Sequence, residues 1–148
     1  MEHDLVTAER YHDISCGHRV VGHEGKCANF HGHNYRIHFT CQAYRAHKLD
    51  AVGRVIDFSA IKHRLCMWLE DEWDHKMLLW ETDHALERMK LLNPGGIVVV
   101  PFNPTAENMA IYLLKNIRPD RLHGTGVDLV RVRVEETRKC SATAERAR

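Results

Sequence analysis

From His31 to Ala43 the chain alternates between two kinds of side chain without a break. His31, His33, Tyr35, Ile37, Phe39, Cys41 and Ala43 fall on one face, and Asn34, Arg36, His38, Thr40 and Gln42 on the other. Side chains of a strand alternate with a period of two, so the segment predicts a half-buried strand with its polar side toward water. Such a strand suits an antiparallel sheet, which can leave one face solvated. The same period places His31 and His33 about 7 Å apart along the chain, on the face that buries Tyr35, Ile37 and Phe39.

The remaining pattern supplies partners for this strand. Residues 10–21 read as extended, with Ile14, Cys16, His18 and Val20 on one face, and the Gly-rich stretch 22–29 reads as a loop. After a polar connection ending in an extended Arg54–Asp57, residues Ile61, Leu65, Trp68 and Leu69 recur at helical spacing. They predict a helix from a Ser59 cap to about Trp73. A short helix over His84–Leu92 and a strand over Ile97–Phe102 follow. Thr105 caps a second main helix, with Glu107 near its positive end and Ala110, Leu113, Leu114 and Ile117 as its buried stripe. Pro119 follows its end. Gly126–Thr137 alternates again, with Val130, Val132 and Val134 inward and Arg131, Arg133 and Glu135 outward. Residues 138–148 show no periodicity and read as a mobile polar tail. The expectation is one α+β domain over 1–148: a four-stranded antiparallel sheet with two main helices on one face.

Several function classes are disfavoured. Lys and Arg number 21 against 20 Asp and Glu, so no basic footprint for nucleic acid or a membrane surface is present. The longest apolar run, Ile97–Val100, is far too short to span a bilayer. The charged start, MEHDLVTAER, lacks a signal core and points to the cytoplasm. Five cysteines without a C-x-x-C pair do not describe a disulfide framework. There is no G-x-G-x-x-G and no phosphate loop.

What stands out is a set of imidazoles. A lone histidine on an apolar face is ordinarily a hydrogen-bonded core residue, but a pair at i and i+2 shifts the balance toward a metal. His18, on the apolar face of the preceding strand, can join them if the strands pair. Three imidazoles leave a fourth zinc position vacant, as in catalytic rather than structural sites. Cys27, beside Lys26 in the loop, reads either as a fourth ligand or as a mobile thiol biased toward thiolate. Glu136 is in register with the inward valines; it is either exposed past the strand's end or a carboxylate awaiting two N–H donors. Asp74-His75 reads as a helix-end charge pair or as an acid orienting an imidazole.

Six segments in order resemble the 6-pyruvoyltetrahydropterin and 6-carboxytetrahydropterin synthase family: ISCGHRV, CANFHGHNY, GRVIDF, DHKML, NPTAEN and VRVEET. The resemblance runs from Ile14 to Thr137 and implies the tunnelling fold, in which sheets join through their edges into a barrel. By analogy the assembly is a homohexamer, a pair of trimers, with active sites at subunit interfaces. It further implies Zn2+ on His18, His31 and His33, Cys27 as catalytic base, and Asp74 and His75 as an acid–base relay. Glu136 would grip a pterin's amidine edge, with Thr137, Thr105 and Glu107 lining or bracing that pocket. The spacing Cys27-x-x-x-His31-Gly32-His33 resembles the bacterial carboxy enzymes, which act on 7,8-dihydroneopterin triphosphate on the way to 7-deazaguanine nucleosides such as queuosine. Lys26 and Arg19 are the cations nearest in sequence for the triphosphate. The pyruvoyl-forming reaction and a non-enzymatic zinc module with Cys27 as fourth ligand are the alternatives. Ile14, Leu79 and the long stretch 80–100 depart from the family's usual pattern.

Overall fold

The two histidine-bearing segments pair with each other. Strand β1 (Thr7–His18) lies antiparallel to β2 (His31–Ala43), from Thr7 opposite Gln42 to His18 opposite His31. The structure, a computed structural model, describes residues 5–43, 48–117 and 122–147. β1 begins and ends three residues earlier than the sequence pattern predicts, and after His18 the backbone leaves the sheet for the loop that carries Cys27.

The sheet has six strands among the described residues, not four, in the order β4-β3-β1-β2-β5-β6. β5 (Val127–Glu135) is antiparallel to β2, and β6 (Ser141–Glu145) is antiparallel to β5. The expected antiparallel sheet is in fact mixed, since β3 (Met77–Trp80) runs parallel to β1 and β4 (Ile97–Val100) parallel to β3. Parallel neighbours need long crossovers, and the helical segments between these strands provide them. β3 escapes pattern reading because Met77-Leu78-Leu79-Trp80 is too short and too uniformly apolar to show a period. β6 replaces most of the polar tail expected from residue 138. There Ala142 and Ala144 pair opposite Val134 and Val132 and pack on the core. Alanine is too weakly hydrophobic to reveal that alternation.

A β-bulge corrects the inward set on β5. Thr40 faces Arg131 while Cys41 faces Leu129, so Val130 is the extra residue. The slip turns Leu129 into the core and leaves Val130 half-buried, where simple alternation had Val130 inward.

The first main helix is continuous in three pieces: α1 (Phe58–Ile61), a π-helical stretch Lys62–Cys66, and α2 (Met67–Glu72). Its buried residues Ile61, Leu65, Leu69 and Trp73 recur every fourth position. In an α-helix that spacing drifts by about 40° per step, and the wider π turn takes up part of the drift. The cap is Asp57 rather than Ser59: its side chain accepts the Ser59 N–H at 2.8 Å. Arg54–Asp57 forms bends, not the extended piece expected. A short helix α3 (Leu86–Leu92) precedes β4, and α4 (Ala106–Asn116) follows it. Thr105 caps α4, its hydroxyl accepting the Asn108 N–H at 3.1 Å. Pro119 lies outside the described residues.

α1–α2 and α4 cover one face of the sheet. Ile61, Leu65, Leu69, Met109 and Leu113 close over Tyr35, Ile37, Phe39, Val132 and Val134, all fully buried. Among the described residues, no helix is long and apolar enough to cross a membrane.

Candidate metal centre and active site

The pairing register sets His18 directly opposite His31, and the two-residue period sets His33 beside His31. One nitrogen from each of the three side chains lies within 4.8 Å of the other two, the one group among the described residues able to hold a metal ion. His18 Nε2 stands 3.1 Å from His31 Nε2.

The ring orientations are fixed by the backbone. His18 Nδ1–H donates to the Pro104 carbonyl at 2.6 Å, and His31 Nδ1–H donates to the Asn29 carbonyl at 2.6 Å. Carbonyls only accept, so both rings carry a proton on Nδ1 and, when neutral, turn an Nε2 lone pair inward. Two lone pairs 3.1 Å apart repel unless a cation sits between them. The His33 Nε2 atom is buried with no hydrogen-bond partner. Burial lowers the His33 pKa, with the Glu136 charge opposing, which favours the neutral ring that a metal could bind. Tetrahedral zinc with nitrogen ligands at about 2.0–2.1 Å sets its nitrogens about 3.3 Å apart, near the 3.1 Å between His18 and His31. The residues present therefore fit zinc.

Cys27 lies outside this group. It sits half-buried on a 3-10 turn, Lys26–Ala28, whose placement is set by the Val20 N–H donating to the Cys27 carbonyl at 2.8 Å. Its side chain is near enough to Tyr35 to act on the phenol electrostatically.

Glu136 follows β5 immediately, half-buried. Its Oε1 stands 3.3 Å from both His18 Nε2 and His33 Nε2. Contact with His18, and then the neighbouring imidazoles when they are protonated, hold its carboxyl below the ordinary range against the opposing effect of burial. Tyr35, fully buried, completes the cluster with its hydroxyl 3.2 Å from His18 Nε2. Burial, and with it the nearby Glu136 charge, raises the phenol's pKa.

Asp74 and His75 come from the turn after α2. Asp74 accepts the Ser15 N–H at 2.9 Å and holds His75 Nδ1 at 2.8 Å, while the His75 N–H donates to the Ser15 carbonyl. Burial pushes the Asp74 pKa up, but the Ser15 and His75 hydrogen bonds outweigh it and bring it below the usual value. His75 adopts a left-handed backbone, φ 61°, and its side chain is 79% exposed. A cavity of about 950 Å³ joins this pair to His33, Glu136 and Thr137. Cys27 is not among its lining residues.

A family model described as 6-pyruvoyl tetrahydropterin synthase matches residues 7–147. The chain belongs to the 6-pyruvoyl tetrahydropterin synthase family. A relative from Rickettsia typhi, 6-carboxy-5,6,7,8-tetrahydropterin synthase, is 33% identical over 138 residues, covering 92% of this chain and 97% of the relative. A probable 6-carboxy-5,6,7,8-tetrahydropterin synthase from Halobacterium salinarum is 34% identical over 125 residues, covering 84% and 76%. Among solved structures, an uncharacterized protein from Wolinella succinogenes superposes with a TM-score of 0.81 at 22% identity, covering 97% and 99% of the two chains. The 6-pyruvoyl tetrahydropterin synthase of Caenorhabditis elegans superposes at 0.68 with 26% identity, covering 99% of each.

Set against the residues that the family resemblance singles out, the fold brings His18, His31, His33 and Glu136 together, with Cys27 on the adjoining loop. Glu107 is exposed on the first turn of α4 and shares a second cavity of about 450 Å³ with Glu136 and Cys140. Thr137 lines the larger cavity, whereas the Thr105 hydroxyl is committed to the α4 cap. Arg19 is not a free cation for a phosphate. Its guanidinium makes a two-point ion pair with the buried Asp83 and lies over the Phe30 ring, 4.5 Å from its centroid. Tyr35 is the site residue that sequence reasoning placed only in the core. The signal was its register with His31 and His33.

Proposed function

We propose that this chain is a zinc-dependent 6-carboxy-5,6,7,8-tetrahydropterin synthase that converts 7,8-dihydroneopterin triphosphate to 6-carboxytetrahydropterin, acetaldehyde and triphosphate. The observation that carries the reading is the convergence of three imidazoles, two of them with their Nδ1 protons locked outward, with a cysteine on the adjoining loop outside the group. The Cys27-x-x-x-His31-Gly32-His33 spacing and the names of the most similar relatives favour the carboxy branch.

His18, His31 and His33 hold the metal, which when bound supplies Lewis acidity toward the substrate's side-chain hydroxyls. Glu136, held as a carboxylate, accepts two N–H bonds from the pterin's amidine edge. Cys27 removes a side-chain proton, and His75, oriented by Asp74, exchanges protons elsewhere on the chain. Thr137 borders the bound pterin and Glu107 faces Glu136 across the smaller cavity.

A second copy of the chain is needed to complete this machinery. His75 is open to solvent, Cys27 lies apart from the cavity that holds His75, and β4 and β6 end the sheet with unpaired edges. Assembly of sheets through these edges into a homohexamer, a pair of trimers, would cover the site with Cys27 of one subunit and Asp74–His75 of another. Such an enzyme works in the cytoplasm and serves 7-deazaguanine nucleoside synthesis.

Mass spectrometry of the purified zinc protein incubated with 7,8-dihydroneopterin triphosphate tests the reading. Acetaldehyde with 6-carboxytetrahydropterin is expected; a pyruvoyl product would assign the chain to the family's other branch, and no turnover would overturn both. Cys27→Ala should keep zinc and abolish turnover. Zinc lost with that change would support a structural zinc module instead.

A further inference from the structure

Tyr35 presents a polar group where none is needed for packing. The side chain is fully buried among the sheet and helices, and a phenylalanine would fill the same ring position. Its ring meets His18 and His33 edge-on, with centroids 5.9 and 5.4 Å away. Its hydroxyl ends 3.2 Å from His18 Nε2, the same nitrogen that Glu136 Oε1 approaches to 3.3 Å. The phenol and the carboxylate thus flank a single atom, close enough for the Glu136 charge to act on the phenol.

Metal binding removes that shared nitrogen from both. The His18 Nδ1–H is already committed to Pro104, so the ion takes Nε2 and leaves the phenol nothing there to bond. A buried hydroxyl without a partner is costly, and the charged acceptor beside it is Glu136.

We propose that Tyr35 is a positioning residue for Glu136: in the metal-loaded protein its O–H donates to the Glu136 carboxylate and fixes the orientation in which that carboxylate receives a pterin. This rests on the pterin-binding reading of Glu136. It makes metal loading and pterin affinity interdependent, because the phenol turns wholly to Glu136 only once the imidazoles are occupied.

Two measurements test it. In a crystal structure of the zinc-loaded, pterin-free protein, the Tyr35 hydroxyl should lie within about 3.0 Å of a Glu136 oxygen, the range of a hydroxyl–carboxylate bond; separation beyond about 3.5 Å overturns the proposal. In titrations followed by neopterin fluorescence, Tyr35→Phe should keep the zinc content of the unaltered protein and bind neopterin about tenfold more weakly, as for loss of a bond to a charged group. The same change made in a Glu136→Gln protein should have almost no further effect. Unchanged affinity, an equal loss in both backgrounds, or loss of zinc in Tyr35→Phe would each overturn it. If the unaltered protein binds no neopterin, the pterin reading fails, while the crystallographic distance still decides the Tyr35–Glu136 bond.

Discussion

His33 and His38 stand on the same strand, on opposite faces of the sheet, and each has a buried Nε2 without a hydrogen-bond partner. Around His33 the neighbours are two imidazoles whose protons point away, so that lone pairs converge, and one carboxylate, Glu136 Oε1, 3.3 Å from Nε2. Around His38 the neighbours are carboxylates on opposite sides, Glu9 Oε1 3.3 Å from Nδ1 and Glu135 Oε1 3.4 Å from Nε2. Arg131 and Arg133 answer those acids at 3.6 and 2.7 Å. One face gathers lone pairs and calls for a cation from outside; the other interleaves carboxylates and guanidinium groups around its imidazole. The residue type is shared, and the surrounding donors and acceptors decide the role.

The sharpest way to break this contrast is to remove each ring. His33→Ala should weaken zinc binding by more than about 100-fold, beyond what a residue merely supporting a ligand gives, and abolish turnover. His38→Ala should retain full zinc content by metal analysis. Equal zinc loss in both variants would erase the distinction.

A smaller effect separates the buried ion pair beside the metal loop from an exposed pair on the outer face. Asp83 is 1% exposed in its pair with Arg19, so Arg19→Ala should cost about 3–5 kcal/mol by urea denaturation. Arg131 and Glu9 are 42% and 43% exposed, and Arg131→Ala should cost no more than about 1 kcal/mol.

Acid should narrow that gap. The Arg19 hydrogen bond, against burial, holds the Asp83 pKa below its ordinary value. A carboxyl lowered in the folded state stabilises it fully above the unfolded pKa, near 4, and this contribution is lost as pH falls through the folded value. The difference between the unaltered protein and Arg19→Ala, constant from pH 7 to 5, should therefore shrink toward pH 3. A gap that widened in acid would contradict the ion-pair account.

The mildest test concerns thiols. Burial pushes Cys16 and Cys41 up to about 12 and Cys66 up to about 11. Iodoacetamide at pH 8 should modify Cys27 and Cys140 and spare these three. Labelling of Cys16 in the folded protein would show that the core beneath the metal face opens.

Much of the site was legible in local pattern. The alternation through β2 put His31, His33 and Tyr35 on one face, and the polar cap Thr105 marked the start of α4. The strand β3, the strand β6 and the inward turn of Leu129 were not legible. Four apolar residues carry no period, alanines barely signal burial, and a bulge breaks the alternation only through its partner strand.

What the amino-acid order determined alone was which side chains share a face, because a two-residue period is a property of each strand by itself. Tertiary structure decided what those faces meet. The register that sets His18 against His31, the Pro104 carbonyl that turns the His18 lone pair inward, and the Ser15 backbone that holds Asp74 are all contacts between distant segments. Hydrogen bonds across such distances depend on how strands and helices dock, and no local pattern encodes that docking.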